Sequence, residues 1–337
     1  MIGQWLLAIA DDLTGALEVG AHFAGSVVTT KCTISTRPEA PVLVIDTETR
    51  HLPAGEAAAI VRDAVRAARR FHPRLIYKKT DSTLRGNIAA ELRALLQAMP
   101  GRSLVYAPAY PAMGRTVKGG RLFVAGVPVD ETPFAADALN PVRTSDIAEL
   151  LAGIPVIVLD GESDADLDAA ARRITAQDPP PPHAAGPAAL ARALSACLQA
   201  ERFVRPALPR VSRCLVINGS RHPASAAQIA FARAHGCFDS AWVHFDAVTA
   251  GDGLDRARYT GEQVCRMLAE SSFDGIVVFG GDTAFGIHCA LGSRDFHPYG
   301  EVVPGVPVSR CGDLVWITKA GGFGAPDILC DIRNKLT

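Results

Sequence analysis

Three times before residue 100 the chain repeats one pattern. An apolar run of strand length is followed by a polar cluster and then by a segment of helical character. The runs are 5–10, 42–46 and 75–79, with a fourth at 104–107. The helical segments are 16–24, 55–71 and 90–99. In the middle one Ile60, Val61, Ala64, Val65 and Ala68 line one face at helical spacing. Strands alternating with helices in this way predict a parallel sheet covered on both faces. Such sheets place ligands at the carboxyl ends of their strands, where the polar clusters fall.

A second α/β pattern starts at Cys214. Strands are expected at 215–217, 242–245, 275–279 and 314–318, with helices at 225–234, 261–271 and 284–291. Between the two patterns, 108–141 is rich in Gly and Pro and reads as irregular. A strand at 154–159 and a helix at 166–175, opened by a Ser163/Asp166 capping box, come next. The four prolines 179–182 suit neither a helix nor a central strand, and the Pro-rich connector is placed at about 178–187. A helix follows at 188–199. The expected fold class is α/β, with two α/β domains, each holding a largely parallel sheet, and an active site in the inter-domain cleft. The domain boundaries are expected at 1–210 and 211–337.

Composition narrows the function. Of 337 residues, 48% are apolar and 20% charged, enough to bury two cores. Lys and Arg number 34 against 35 Asp and Glu, without the basic excess of a nucleic-acid binder. No run approaches the ~18 apolar residues that span a bilayer, and the N-terminus lacks the basic region of a signal peptide. A cytoplasmic protein is expected, with neither nucleic acid nor membrane as partner. The eight cysteines form no C-x-x-C pair and are expected to be reduced thiols, several of them buried.

The clusters suit particular chemistry. Asp11 and Asp12 end the first strand, where carboxylates serve as general base, metal ligand or hydroxyl acceptor. One of them alternatively caps the following helix. Arg50 ends the second strand and can fork a carboxylate or phosphate. Lys79, Thr80, Asp81, Ser82 and Arg85 form a turn of cations and hydroxyls after the third, suited to an anion. In the second half, Gly280, Gly281, Asp282 and Thr283 follow one strand, and Gly321, Gly322 and Gly324 another. Glycine lets backbone amides approach phosphates closely. With Ser220 after a third strand, these loops suit a nucleotide phosphate, and Asp282 is a candidate Mg²⁺ ligand. No Walker A or G-x-G-x-x-G pattern is present.

The stretches 9–16 (IADDLTGA), 77–87 (YKKTDSTLRGN) and 107–115 (APAYPAMGR) resemble the four-carbon acid sugar kinase family. So do Gly119-Gly120, Asn218-Gly219-Ser220, 279–284 (FGGDTA) and 319–324 (KAGGFG). The resemblance implies an ATP- and Mg²⁺-dependent kinase acting on the terminal hydroxyl of erythronate, threonate or 3-oxo-tetronate. It implies an N-terminal sugar-acid domain and a C-terminal nucleotide domain. Carried over by motif, Asp12, Arg50, residues 79–82 and Arg85 face the sugar acid. Ser220, residues 280–283 and Gly322 face ATP. Asp12 is the expected base, with Asp11 and Asp81 as competitors. The chain is shorter than typical members, and its second strand ends in Asp-Thr-Glu-Thr-Arg where many have Ser before the Arg. A phosphotransferase for another hydroxy acid and a non-catalytic sensor are the rival readings, and a homodimer is left open.

Overall fold

Leu6–Ala10 forms β1, every residue of it buried. Helix α1 (Leu13–His22), β2 (Val27–Thr30), β3 (Val42–Asp46), α2 (Ala54–Arg69), β4 (Leu75–Lys79), α3 (Ile88–Ala98) and β5 (Leu104–Tyr106) follow. A three-stranded antiparallel meander comes next, of β6 (Arg115–Lys118), β7 (Arg121–Val124) and β8 (Val127–Pro128). Then come α4 (Ile147–Leu151), β9 (Val156–Val158), α5 (Asp164–Thr175), β10 (His183–Gly186) and α6 (Ala188–Gln199). This computed structural model describes residues 6–23, 25–30, 40–176, 183–199, 206–247 and 253–337.

The chain divides into two units, Met1–Phe23 with Thr29–Phe203, and Ala24–Val28 with Val204–Thr337. In the first unit the strands run β3-β1-β4-β10-β5-β9, all parallel. Ala57, Val61, Ala64, Val65 and Ala68 make the buried stripe of α2. They pack with α3 over Leu7, Ile9, Leu43, Ile45 and Ile76. Each fully buried Val, Leu or Ile contributes about 1.5–3 kcal/mol, so this layer fixes where the strand ends lie. The alternate strand residues Leu6, Ala8 and Ala10 are equally buried, as a sheet covered on both faces requires.

The second unit holds β11 (Cys214–Asn218), α7 (Pro223–Ala234), β12 (Trp242–Asp246), α8 (Gly253–Glu270), β13 (Gly275–Phe279) and α9 (Gly281–Ala290). It ends with β14 (Phe296–Val303), β15 (Val306–Cys311), β16 (Leu314–Lys319) and α10 (Ile328–Leu336). Strands β12-β11-β13-β16 are parallel, and β15 and β14 continue from β16 antiparallel. Val28 pairs with Phe296, which ties the short segment Ala24–Val28 to this unit. Ile229 and Ala232 of α7 and Ile328, Leu329, Ile332 and Leu336 of α10 cover Val216, Val277, Phe279 and Ile317.

Several expectations need correction. The end of the expected connector, His183–Gly186, is a buried central strand between β4 and β5. Tyr77 explains part of its hold: the buried hydroxyl donates to the carbonyls of Gly186 and Pro187, at 2.8 and 2.6 Å. The four prolines lie outside the described residues. The stretch 108–141 is not irregular throughout, since glycines with positive φ at 114, 119, 120 and 126 turn it into the meander. Helix α7 is capped by His222, whose ring accepts from the Ala224 amide at 3.1 Å, and not by Ser225. Cys237 and Cys330 are joined in a disulfide, 93 residues apart. Their pairing depends on α10 packing beside the end of α7, which linear spacing does not reveal. The Ser163/Asp166 capping box is present as expected.

Candidate active site

The ends of β1, β3 and β4, adjacent parallel strands, bring the acids and cations of the first unit together. Arg50 donates from Nε and Nη2 to both oxygens of Asp11, at 2.8 and 3.0 Å, and from Nη1 to Asp12 Oδ2 at 2.7 Å. The Asp11 carbonyl accepts the Thr49 and Arg50 amides at 2.9 and 3.2 Å. Asp11 is 2% exposed, whereas 17% of the Asp12 side chain reaches solvent. Burial favours the neutral form of Asp11, but Arg50, Lys78 and Lys79 outweigh it and hold its carboxyl down at about 2. Asp11 is thus a poor proton acceptor and a good anchor for Arg50.

Asp12 also caps α1: its Oδ1 accepts the Gly15 amide at 3.0 Å. Glu48 completes the cap, accepting the Leu13 amide at 2.8 Å from a left-handed backbone (φ +46°). Beside it Asp46 is buried, and Oδ2 has no hydrogen-bond partner among the described residues. Burial, with Asp12 and Asp11 nearby, pushes Asp46 up to about 8, and burial raises Glu48 as well.

The turn after β4 is organised by Asp81. Its carboxylate accepts the Thr83 amide and hydroxyl at 3.0 and 2.5 Å and is forked by Arg85 at 3.0 and 2.8 Å. Arg50 stands 3.8 Å away. Despite burial, which acts to raise it, Asp81 is held well below the usual carboxylate range by Arg85 and Arg50. Arg85 also reaches Asp137 at 3.4 Å and lies over the Phe134 ring. Thr80 is buried, and its amide donates to Gly186; Ser82 is half-buried. Lys79 is different. It is buried, yet its ammonium makes no ion pair or hydrogen bond among the described residues. A Cβ at position 15 would lie 2.5 Å from Lys79 Nζ and 2.6 Å from Asp12 Oδ1, so a side chain there would push these two groups aside.

Residues to which the sequence assigned no role support this cluster. Asn87 donates to the carbonyls of Thr49 and Leu52 at 2.9 and 2.8 Å, pinning the Arg50 loop. Glu91 pairs with Lys78 at 2.9 Å and accepts from the Thr49 hydroxyl.

In the second unit three loops meet at the ends of adjacent parallel strands β11, β13 and β16. Gly219 donates to Phe279 O and Gly280 to Lys319 O, both at 3.0 Å. A Cβ on Gly219 would overlap Thr283, and one on Gly321 would overlap the Ser220 hydroxyl. Helix α9 begins after Gly280 with no side chain capping it, so its N-terminus is open to an anion. The amides of Gly321, Gly322 and Gly324 donate to no described residue. These features fit a polyphosphate. Asp282 lies in the first turn of α9. No group of three or more His, Cys, Asp or Glu able to hold a metal occurs among the described residues.

Comparison with known proteins finds two family models on the chain. Residues 6–154 match the family model of a sugar-binding N-terminal domain, and 257–329 that of a nucleotide-binding C-terminal domain. A D-threonate kinase of Bordetella bronchiseptica is 31% identical over 98% of this chain and 96% of its own length. A D-threonate kinase of Salmonella typhimurium is 29% identical over 97% of each. A 3-oxo-tetronate kinase of Cupriavidus necator is 26% identical over 97% and 96%. Among solved structures, a Salmonella typhimurium protein shares the fold, with TM-score 0.81 and 22% identity over 100% of both chains. A Bordetella bronchiseptica domain of unknown function, a domain-swapped dimer with bound citrate, has TM-score 0.55 and 29% identity over 99% and 98%. No helix among the described residues is long and apolar enough to cross a membrane.

Proposed function

This chain belongs to the four-carbon acid sugar kinase family, and from that premise we propose that it transfers the γ-phosphoryl group of ATP to a hydroxyl of a four-carbon sugar acid. The acceptor is the terminal hydroxyl of threonate, erythronate or 3-oxo-tetronate. The observation that carries the reading is the meeting of three glycine loops at the ends of β11, β13 and β16, a phosphate cradle. A sensor of sugar acids alone would not need it.

In this reading Asp12 accepts the proton of the attacking hydroxyl. It is the more exposed of the two acids; its Oδ1 accepts the Gly15 amide, and Oδ2, held by Arg50 Nη1 at 2.7 Å, takes the proton as that contact gives way. Asp11 holds Arg50 in place. Lys79, a buried cation with no ion pair or hydrogen bond among the described residues, receives the substrate carboxylate together with Arg50, and Ser82 and Thr80 supply hydroxyl contacts. Asp81 and Arg85 shape the turn that presents them. Ser220, residues 280–283, Gly321, Gly322 and Gly324 hold the ATP phosphates. Asp282 would hold Mg²⁺, which would supply charge neutralisation to the phosphates. Transfer requires the hydroxyl and the phosphoryl group to meet, and the inter-domain cleft expected from the sequence is part of this proposal, as is a homodimer.

A coupled ADP-release assay over D- and L-threonate, D- and L-erythronate and the 3-oxo-tetronates tests the reading. One tetronate is expected to release one ADP per molecule consumed. Absence of ADP release with every tetronate would refute it.

A further inference from the structure

Lys319 ends β16 and is fully buried. Its side chain turns under the loop that follows it. The ammonium donates to Ala320 O at 2.7 Å, Gly321 O at 3.3 Å and Phe323 O at 2.8 Å, and sits over the Phe279 ring at 4.6 Å. From α7, Ser225 donates to Gly321 O at 2.7 Å, and Gln228 donates to Phe323 O and Gly324 O at 2.9 and 2.8 Å. The carbonyls of residues 320, 321, 323 and 324 are therefore all drawn inward. The amides of Gly321, Gly322 and Gly324 are left without acceptors among the described residues.

We infer that Lys319 is a positioning residue for nucleotide binding: by gathering the loop carbonyls on one ammonium, it turns the glycine amides toward the ATP phosphates. The inference rests on the kinase reading above and adds to it a residue that touches neither substrate. A buried cation commonly faces a carboxylate; here three carbonyl dipoles and a ring face take that place, and no charged side chain pairs with it among the described residues. The cost of burial shows in its titration, because desolvation lowers Lys319 to about 7. The titratable side chain against the loop from α7 is His222, whose ring meets the position a Cβ on Gly322 would take. Loss of the Lys319 proton removes the charge that holds the carbonyls, so the loop loosens as pH rises through this value.

The test is ADP affinity by calorimetry, with KM values for ATP and for the accepted tetronate, in wild type, K319M and K319R. K319M is expected to weaken ADP and raise the KM for ATP by about 10-fold or more, the loss of charge-assisted hydrogen bonds. The KM for the tetronate stays within about twofold if the two sites are independent. K319R keeps a charge and several donors and restores most of the affinity. Between pH 6 and 9 wild-type affinity falls relative to K319R, a ratio in which ionisation common to both proteins cancels. This comparison does not depend on K319M folding. Equal ADP affinity in K319M and wild type, or a pH-independent ratio of wild type to K319R, would overturn the inference while leaving the kinase reading intact. A wild-type protein that binds no nucleotide would remove both.

Discussion

Lys78 and Glu91 form an ion pair of 2.9 Å in which neither side chain reaches solvent. The pair joins the end of β4 to the first turn of α3, and through the Thr49 hydroxyl it reaches the loop that carries Arg50. Lys78 also donates to the Lys79 carbonyl at 2.8 Å, which fixes the backbone of the next cation. Glu91→Gln keeps the size and most hydrogen bonds but leaves Lys78 charged and unpaired. Breaking such a pair costs about 3–5 kcal/mol. Chemical denaturation is expected to show a loss of that order, and a variant within about 1 kcal/mol of wild type would mean the pair contributes little.

Asp12→Asn separates base from cap. Asn caps helices about as well as Asp, so α1 should survive with little change in Tm. The proton of the attacking hydroxyl would have no acceptor, and kcat should fall by ~10²–10⁴ with ATP affinity unchanged. A variant retaining more than about a tenth of kcat would remove Asp12 from the chemistry.

Arg50→Ala is expected to do two things at once. In the role proposed for it, Arg50 binds the sugar acid, so its loss should raise that KM far more than the KM for ATP. The substitution also takes from Asp11, 2% exposed, the guanidinium that forks it, leaving only the more distant Lys78 and Lys79, and stability should fall by about 3–5 kcal/mol near neutral pH. The folded Asp11 carboxyl is held below its ordinary value, so the stability it contributes is present above about pH 4 and is lost as pH falls toward 2. The gap in Tm between wild type and variant should therefore narrow in acid. A gap constant from pH 7 to pH 3 would argue against the ion pair as its source.

Asp46 has the opposite sign. Its folded value is raised to about 8, so the native state holds a proton that the unfolded chain releases near pH 4. Its contribution to stability is full below that and declines as pH rises toward 8. Asp46→Asn imitates the protonated acid and should flatten this decline, with a Tm at pH 9 at or above wild type. Parallel Tm curves for the two proteins would place the proton elsewhere, Glu48 being the nearest alternative.

Gly322→Val and Asp282→Ala address the phosphate loops. A side chain at 322 meets the His222 ring at 3.0 Å and stands where the backbone should approach phosphate. Nucleotide affinity should drop by about 10-fold or more in each, with tetronate binding retained. Unchanged ADP affinity in both would show that the nucleotide binds elsewhere.

Much of this architecture is legible in the sequence where one strand is buried on both faces, because an uninterrupted apolar run needs no partner to identify it. β3, β4 and β13 lie where the runs 42–46, 75–79 and 275–279 place them. Strand β14 escapes notice because Pro298 and Gly300 interrupt it, at the place where its pairing with β15 shifts register. β10 is short and alanine-rich, and it is a strand by virtue of its two neighbours. The candidate site divides in the same manner. Asp12, Arg50 and Lys79 stand out as charges directly after strands. Glu48, Asn87 and Glu91 act on partners 35 to 42 residues away; Glu48 and Asn87 lie inside the polar clusters, but nothing local gives them these roles. Lys319 reads as a basic residue before a glycine loop until its burial is seen.

The place of β10 bears on how the chain leaves the ribosome. β4 and β5 are finished by residue 106, yet the strand that fills the gap between them begins at 183. At roughly 5–20 residues per second, the two strands wait for several seconds with inner edges bare, open to pairing with another chain. Residues 6–154, the span of the sugar-binding match, are thus an incomplete folding unit. A fragment cut there would lack the middle of its own sheet, and one reaching past Gly186 would not.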